Sequence, residues 1–319
     1  MHPRVGHRFI LGFRGTTLPE WLRRFEAEHG LGGVILFDTD VESGRPERNI
    51  ESPEQVKALC GEVHGLQSGT RVFVDQEGGR VRRLKPERGF APLPSAFEFS
   101  RLSLPRRYEL VRASFGEMAD LGIDFNLGPV IDLNTNPENP SIGALGRSFS
   151  DDPAEIRENV AILAEVAQDV GLGLCLKHYP GLGGATTDTH EASADLTGRV
   201  SEEQLRLFTD LAPSLPGSGI LLSHGRVQDW DPECPVSVSA TAVGQLRAQV
   251  PEALLITDDL QMQGLQQHFG TAEASLRAIR AGVDLICLAN NTRGLEVEAL
   301  EAIRETARWP GLFRTPHPG

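Results

Sequence analysis

The sequence predicts a single-domain (β/α)₈ barrel that spans residues 1–319. Three observations predict it: eight short apolar runs recur along the chain, segments with helical spacing separate them, and the length suits such a barrel. Most of the runs are continuous rather than alternating, which is typical of strands buried on both faces of a parallel sheet. The eight predicted strands are residues 8–13, 32–37, 71–75, 125–133, 172–178, 219–224, 253–258 and 284–290.

Helix start signals lie between several of these strands. Three segments combine an N-cap residue with a Glu or Gln three residues later: Ser52–Gln55, Asp152–Glu155 and Ser201–Gln204. We expect each Glu or Gln side chain to return to the N–H of its cap residue. A doubly wound open sheet would require a glycine-rich phosphate turn after its first strand, and GFRGTTLPEW is a poor one. We expect roughly residues 308–319 to form an irregular tail, because this segment contains Pro-rich turns.

Composition narrows the function classes. A formal net charge of −13 argues against nucleic-acid binding and against binding to anionic lipid. No apolar run of about 18 residues occurs, so no transmembrane helix is expected, and the N-terminus lacks the hydrophobic region of a signal peptide. The four cysteines are scattered and form no C-x-x-C pair, which favours reduced thiols. The sequence therefore predicts a cytoplasmic protein without nucleic-acid or membrane partners, and it leaves the oligomeric state open.

Polar side chains follow most of the predicted strands, at the end where barrels build their active sites. They are Asp75, Asp132, Lys177, His178, His224, Asp258 and Asn290, with Arg147 on the loop beyond the fourth strand. A packed core excludes such groups unless they are paired or functional, so the set predicts an active site. Asp258 directly follows its strand and is expected to point into the mouth, whereas Asp259 is available to cap the next helix.

Two other chemistries use residues of the same types. Three histidines and an aspartate could hold a metal ion in a barrel hydrolase: His178, His190, His224 and Asp258. However, the first strand carries no His-x-His pair, H-E-x-x-H is absent, and Lys177 would repel a cation. Lys177 could also form a Schiff base, but nearby carboxylates would favour its charged form. No metal and no cofactor is therefore expected.

Six stretches resemble glycoside hydrolase family 3, specifically its single-domain β-N-acetylglucosaminidases. The stretches are VDQEGGRVRRL (74–84), GIDFNLGPVIDL (122–133), GRSFSDDP (146–153), KHYPGLGGATTDTH (177–190), LLSH (221–224) and ITDDLQM (256–262). They run in the order of the family, each close to the end of a predicted strand, and the likeness covers roughly residues 8–290. The resemblance implies a metal-independent, retaining glycosidase on a barrel.

The resemblance also implies roles for single residues. Asp258 is the expected nucleophile, His190 the expected general acid/base, and Asp188 the partner that orients this histidine. The residues expected to bind the sugar hydroxyls are Asp75, Arg83, Arg147, Lys177 and His178. Larger members of the family take the acid/base from a second domain, whereas in this chain the barrel's own loop would supply it.

The loop 177–190 keeps the spacing of the family pattern K-H-F-P-G-H-G, four residues, D-S-H. Leu182 replaces a loop histidine, which affects the contacts of the loop more than its chemistry. The three glycines of the loop predict backbone freedom that would bring the acid/base over the leaving group. The EGGR segment (77–80) is interpreted either as a turn that places Asp75 and Arg83 or as a plain turn.

The expected reaction explains why a histidine suits this loop. Retaining hydrolysis needs a nucleophile below the sugar and an acid above the leaving oxygen. A histidine with an ordinary pKa of about 6.5 can act as acid and then as base near neutrality. Asp188 would orient His190 as the acid does in a Ser-His-Asp triad. A neutral base does not repel an anionic acceptor, so both water and phosphate remain possible acceptors of the sugar in the second step.

The sequence thus predicts a hydrolase that removes terminal β-N-acetylglucosamine from a small carbohydrate, with cell-wall recycling implied by the family alone. The alternatives are a β-glucosidase, β-xylosidase or phosphorylase of the same family, and a sugar-binding barrel without activity. An aromatic content of 6% argues against a long groove for a polysaccharide. Trp230 is the one aromatic expected either to stack on a sugar or to anchor its loop.

Overall fold

The structure is a computed structural model that describes residues 5–40, 43–46, 48–187, 194–215, 217–290 and 301–306. Eight parallel strands form its main sheet. They are β1 (Phe9–Gly12), β2 (Gly33–Leu36), β3 (Arg71–Val74), β4 (Phe125–Asn126), β5 (Gly173–Tyr179), β6 (Gly219–Leu222), β7 (Leu254–Thr257) and β8 (Ile286–Leu288). Strands β1 to β7 pair in chain order, β8 pairs with β1, and a parallel bridge between Ile256 and Leu285 closes the ring. The predicted barrel is confirmed.

The barrel interior is a core of its own. Each strand contributes one side chain to a single buried cluster: Ile10, Ile35, Phe73, Phe125, Cys175, Leu221, Ile256 and Cys287. Alternate strand residues belong to a second and larger cluster, which also contains the buried faces of the helices. Because both faces of every strand are buried, the strands read as continuous apolar runs.

The helices follow the strands in the order expected of this fold. They are α1 (Glu20–His29), α2 (Pro53–His64), α3 (Ala96–Phe99), α4 (Leu104–Leu121), α5 (Pro153–Val170), α6 (Glu202–Leu211), α7 (Ala240–Gln249), α8 (Gln263–Gln266) and α9 (Thr271–Ala281), and residues 301–306 are also helical. Across the described ranges, no helix has both the length and the apolar character that a membrane span requires.

The fourth strand is shorter than the sequence predicts. Continuous pairing covers only Phe125–Asn126, after which an isolated bridge joins Val130 to Lys177. Pro129 lies between these two points and has no N–H to donate to a neighbouring strand. The chain beyond it therefore runs as a loop beside the end of β5, and this loop carries Asp132.

The predicted helix caps are present, but the expected return bonds are not. The cap side chains accept from backbone N–H groups of the first turn: Ser52, Asp152 and Ser201. Gln204, however, donates to the carbonyl of Ile131 (3.1 Å) and accepts from the N–H of Leu133 (2.7 Å). Gln55 likewise accepts from the N–H of Glu51 rather than from its cap. Gln204 is buried, so its amide satisfies the irregular backbone after β4 instead.

Candidate active site

A cavity of about 270 Å³ opens at the C-terminal ends of the strands, where the sequence places the site. Its polar walls include the carboxylates and cations expected from the strand ends: Asp75, Arg83, Lys177, His178, Asp258 and Asp259. Its apolar walls include side chains that continue the barrel interior: Ile35, Phe37, Leu127, Leu221 and Cys287. A concave site with a few convergent charges on an apolar floor is typical of a small-ligand pocket.

Lys177 and His178 are neighbours in sequence, and both line the cavity. In a regular strand, successive side chains point to opposite faces of the sheet. The pairing of β5 with β6 shifts register between Leu176 and Tyr179, as in a β-bulge. Such an irregularity changes the direction of a side chain, and it lets one strand end deliver two polar groups to one cavity.

Lys177 lies between two carboxylates. Its Nζ atom is 2.7 Å from Asp75 Oδ1 and 2.6 Å from Glu77 Oε1, and its side chain is 4% exposed. Burial alone would lower the pKa of Lys177, but the two carboxylates outweigh it and raise the pKa above the ordinary value of 10.5. A lysine held as an ammonium is a hydrogen-bond donor, and it is not suited to Schiff-base chemistry, which requires the free amine.

Glu77 is a central acid of the site, although the sequence suggests only a turn at EGGR. It lies on a hairpin formed by Gln76–Gly78 and Val81–Arg82. Its two oxygens accept from Arg147 Nε and Nη2, each at 2.8 Å, and Oε1 also contacts Lys177. Burial would raise the pKa of Glu77, but Arg147 and Lys177 outweigh it and hold that pKa well below its usual range. Glu77 is therefore the shared anion of two buried cations.

Arg147 is not among the residues that line the cavity, although the sequence predicts it as a sugar-binding residue. Its guanidinium lies behind His178, with Nη2 3.1 Å from His178 Nε2 and Nη1 donating to the carbonyl of Ser141. In this arrangement Arg147 contacts the ligand cavity through His178 rather than directly.

The hydrogen bonds of His178 define its tautomer. Arginine can only donate, so Nε2 of His178 accepts from Arg147, and Nδ1–H donates to Asp132 Oδ2 at 2.8 Å. Asp132 Oδ1 also accepts from the backbone N–H groups of His178 and Leu182, each at 3.0 Å. Both ring nitrogens are thus engaged within the protein, so a sugar hydroxyl that binds a nitrogen of this ring must compete with Arg147 or Asp132.

Asp258 and Asp259 both line the cavity, whereas the sequence leads us to expect only the first to face it. Oδ1 of Asp258 accepts from the backbone N–H of Asp259 at 2.9 Å. The sequence suggests that Asp259 caps the next helix, but in the structure it does not. Its Oδ1 accepts from the N–H groups of Gln261 and Ala289, each at 3.1 Å, so it joins the end of β7 to the end of β8.

Arg83 borders the cavity, as the sequence predicts. It also belongs to a cluster of charged residues that the sequence does not predict. Its Nη2 is 3.6 Å from Asp75 Oδ2 and its Nη1 is 3.9 Å from Asp38 Oδ1. Lys85 also pairs with Asp38, at 2.5 Å. The Arg83 guanidinium lies 4.8 Å from the centre of the Phe37 ring, which fixes an aromatic wall of the cavity. Asp38 and Phe37 directly follow β2, so their position at a strand end is the signal that could have identified them.

The loop after β5 is described as far as Thr187, and its glycines have a different role from the expected one. A Cβ atom on Gly183 would lie 1.6 Å from the carbonyl oxygen of Leu133, and one on Gly181 would lie 2.4 Å from Gln204 Cγ. These glycines allow close packing against Leu133 after β4 and against Gln204 on α6, which opposes motion of this part of the loop. Leu182 is buried in the larger core cluster, where it anchors the loop in place of the histidine of the family pattern.

Asp188 and His190, the predicted orienting acid and general acid/base, lie outside the described residues. The structure describes the chain up to Thr187 and again from Ala194. Their assigned roles therefore remain predictions from the sequence.

His224 and Trp230 pack within the protein. His224 Nε2 lies 2.8 Å from the carbonyl oxygen of Asp259, and its Nδ1 lies 2.8 Å from Ser237 Oγ. Metal binding by His224 would therefore disrupt one of these contacts, and among the described residues no His, Cys, Asp and Glu side chains form a group able to hold a metal ion. Trp230 stacks on Tyr179 with ring centroids 6.2 Å apart and is not a cavity-lining residue, which favours the loop-anchor interpretation.

Replacement of Glu77 by Gln should destabilise the protein by about 3–5 kcal/mol at pH 7, because two buried cations lose their shared anion. Because the pKa of Glu77 is lowered in the folded protein, its stabilisation is present above the ordinary pKa of 4.5 and declines as the pH falls below it. Urea unfolding of wild type and E77Q at pH 7 and pH 4 measures both effects.

Glu87→Gln is the matched control, since Glu87 belongs to the same segment but is 69% exposed and pairs with Arg82 at 3.4 Å. It should cost less than about 1 kcal/mol. Equal free energies of unfolding for the two variants would contradict the role assigned to Glu77.

Comparisons with known proteins agree with this architecture. The family model described as the glycosyl hydrolase family 3 N terminal domain matches residues 17–310. A protein from Thioalkalivibrio sulfidiphilus (strain HL-EbGR7), named Beta-hexosaminidase, is 30% identical over 298 residues, which are 88% of this chain and 80% of the relative.

Two solved structures share the fold. The Mycobacterium tuberculosis protein LpqI has a TM-score of 0.77 and 25% identity, and the match covers 99% of this chain and 94% of that chain. A glycoside hydrolase family 3 β-N-acetylglucosaminidase from Paenibacillus sp. str. FPU-7 has a TM-score of 0.80 and 23% identity, and this chain spans 64% of its length. Since the family model covers nearly the whole chain and the barrel mouth holds the expected charged groups, this protein belongs to glycosyl hydrolase family 3 and is a glycoside hydrolase.

Proposed function

We propose that this chain is a retaining β-N-acetylhexosaminidase that removes terminal β-linked N-acetylglucosamine by double displacement. The observation that supports it most directly is the position of Asp258. Its side chain borders the same cavity as Asp75, Arg83 and Lys177, directly after β7. A carboxylate that shares a small cavity with several groups able to bind hydroxyls could attack a sugar held there, which supports the proposal.

In the first step, the carboxylate of Asp258 attacks the anomeric carbon, and His190 protonates the departing oxygen. The N–H of Asp259 holds one carboxylate oxygen of Asp258, which limits its rotation before attack. The product of this step is a glycosyl ester on Asp258. In the second step, the now neutral His190 removes a proton from water, which attacks the same carbon, displaces the carboxylate of Asp258 and restores the configuration.

The charged wall of the cavity would hold the sugar during both steps. Asp75 can accept from sugar hydroxyls, whereas Lys177 and Arg83 can donate to them. The contacts of these side chains with one another, from 2.7 to 3.6 Å, hold them in place before substrate binds. Binding that is organised in advance costs little reorganisation in the transition state.

The choice of N-acetylglucosamine as the sugar is supported by the relatives, which are named Beta-hexosaminidase and β-N-acetylglucosaminidase. The cavity volume of about 270 Å³ suits a single sugar rather than a long chain. We further propose, from the family resemblance, a cytoplasmic enzyme that acts on small cell-wall fragments.

Two aryl glycosides test the proposal. The kcat/KM for 4-nitrophenyl N-acetyl-β-glucosaminide should exceed that for 4-nitrophenyl β-glucoside by at least about 100-fold, because a site built for the acetamido group rejects a substrate that lacks it. Proton NMR of the first product should show the β-anomer, as retention requires. A preference for the glucoside would assign a β-glucosidase, and the absence of turnover of either would favour a sugar-binding barrel.

A further inference from the structure

Asp259 connects three strand ends around the proposed nucleophile. Its carboxylate accepts from the N–H groups of Gln261 and Ala289, each at 3.1 Å. Its carbonyl oxygen lies 2.8 Å from Nε2 of His224, which follows β6, and its own N–H donates to Asp258 Oδ1. The residue whose N–H contacts the proposed nucleophile is therefore held by bonds to the segments that follow β6, β7 and β8.

Asp259 also lines the same cavity as Asp258. Two adjacent carboxylates on one enclosed wall repel each other, and each charge there acts on whatever occupies the cavity. The transition state of glycoside hydrolysis resembles an oxocarbenium ion, which carries positive charge on the sugar ring. A fixed negative charge beside that ring stabilises the transition state more than the neutral substrate.

We propose that Asp259 is a positioning residue for the nucleophile, and that its ionised carboxylate accelerates glycosylation of Asp258, so that activity rises as Asp259 loses its proton. The inference rests on the proposed role of Asp258. Asp259, the second acid of the TDDL segment (257–260), then has two functions other than attack. Its backbone orients Asp258, and its charge stabilises the cationic sugar.

The surroundings of Asp259 set the pH range of this effect. Burial, together with the charge of Asp258, raises the pKa of Asp259 to about 6, against the opposing effect of two backbone N–H groups and the Arg48 guanidinium. The other ionisable groups near it are the Cys287 thiol, whose pKa burial raises well above 9.0, and the His224 ring on its carbonyl. Asp259 therefore changes charge in the range in which a cytoplasmic enzyme works.

Asp259→Asn tests the proposal, because an Asn side-chain oxygen can still accept from both N–H groups while the charge is lost. The measurement is kcat/KM between pH 4.5 and pH 8 with 2,4-dinitrophenyl N-acetyl-β-glucosaminide. This leaving group needs no protonation, so the histidine acid does not affect the profile. At pH 8, D259N should be about 10- to 100-fold slower than wild type. At pH 4.5 the two should agree within about threefold, and the wild-type decline near pH 6 should move to lower pH in the variant.

Thermal unfolding supplies a readout that does not depend on turnover. When folding raises the pKa of a carboxyl, the protein loses stability as the pH rises from the ordinary pKa of that carboxyl through its pKa in the folded protein. D259N should therefore melt at a higher temperature than wild type at pH 7.5, and the difference should shrink towards pH 4. Asp284→Asn is the matched control: Asp284 also accepts from a backbone N–H beside β7, that of Leu255 at 2.8 Å, but does not line the cavity. D284N should keep the wild-type midpoint of the pH profile.

A ratio of wild-type to D259N activity that is constant from pH 4.5 to pH 8 would overturn the proposal and leave Asp259 a structural residue. Failure of the proposed function gives a different result. A 5-fluoro N-acetylglucosaminyl fluoride would then fail to label Asp258 in wild type and D259N alike. If only the inference fails, the label still forms on Asp258 and the pH profiles of the two proteins coincide.

Discussion

Replacement of Asp258 by Asn should lower kcat by more than about 10⁴-fold while the protein stays folded. In the proposed mechanism the carboxylate forms the covalent intermediate, so no other group of the cavity could take over its part in the reaction. Asn has nearly the same volume and can still accept from the N–H of Asp259, so the barrel should not be disturbed. Turnover of the aryl N-acetylglucosaminide and thermal melting curves measure the two effects separately.

Trapping identifies the nucleophile directly. A 5-fluoro N-acetylglucosaminyl fluoride, which keeps the acetamido group, should leave a covalent adduct on Asp258, located by mass spectrometry of the digested protein. Asp259 is the internal control, since it borders the same cavity one residue away. An adduct on Asp259 or Asp75 would overturn the assignment. Azide added to Asp258→Ala should yield the α-glycosyl azide, because the anion then attacks from the face that the carboxylate leaves open.

Replacement of His190 by Ala should separate the two steps of the reaction. A sugar leaving group needs a proton, so its loss should slow turnover by about 10²- to 10⁴-fold. An activated aryl group leaves without one, so the first step should slow only modestly. Since the second step lacks its base, the glycosyl ester on Asp258 should accumulate, which rapid-quench mass spectrometry detects.

Azide is the decisive addition to His190→Ala. It needs no base, so it should restore turnover of the activated substrate and give the β-glycosyl azide, opposite in configuration to the product of the Asp258 variant. Asp188→Ala should show a weaker form of the same behaviour, because the histidine remains but is less well oriented. Equal slowing of activated and unactivated substrates, without an effect of azide, would mean that His190 is structural.

Much of the fold follows from local patterns. Each buried strand of a parallel barrel must be apolar on both faces, and this requirement leaves eight continuous runs that can be counted in the sequence. The charged residues after these runs locate the active site, because parallel strands bring all their C-terminal ends to one face. The places of Asp258 and Lys177 at the cavity could therefore be predicted from their positions at strand ends. The boundary of β4 could not, since it depends on which backbone groups find partners across the loop after Pro129.

The sequence by itself determined the barrel, the end that carries the site, and the family motifs that name Asp258 and His190. Tertiary structure alone decided how the charges pair. Glu77, Arg147 and Lys177 meet across 70 and 100 residues of chain, and only their contact shows that Glu77 is a shared anion rather than part of a turn. The same holds for Asp259, whose partners lie on three strands. Periodicity reports which face of an element is buried, but ion pairs and hydrogen bonds depend on ångström-scale distances between residues remote in sequence, and folding alone sets those distances.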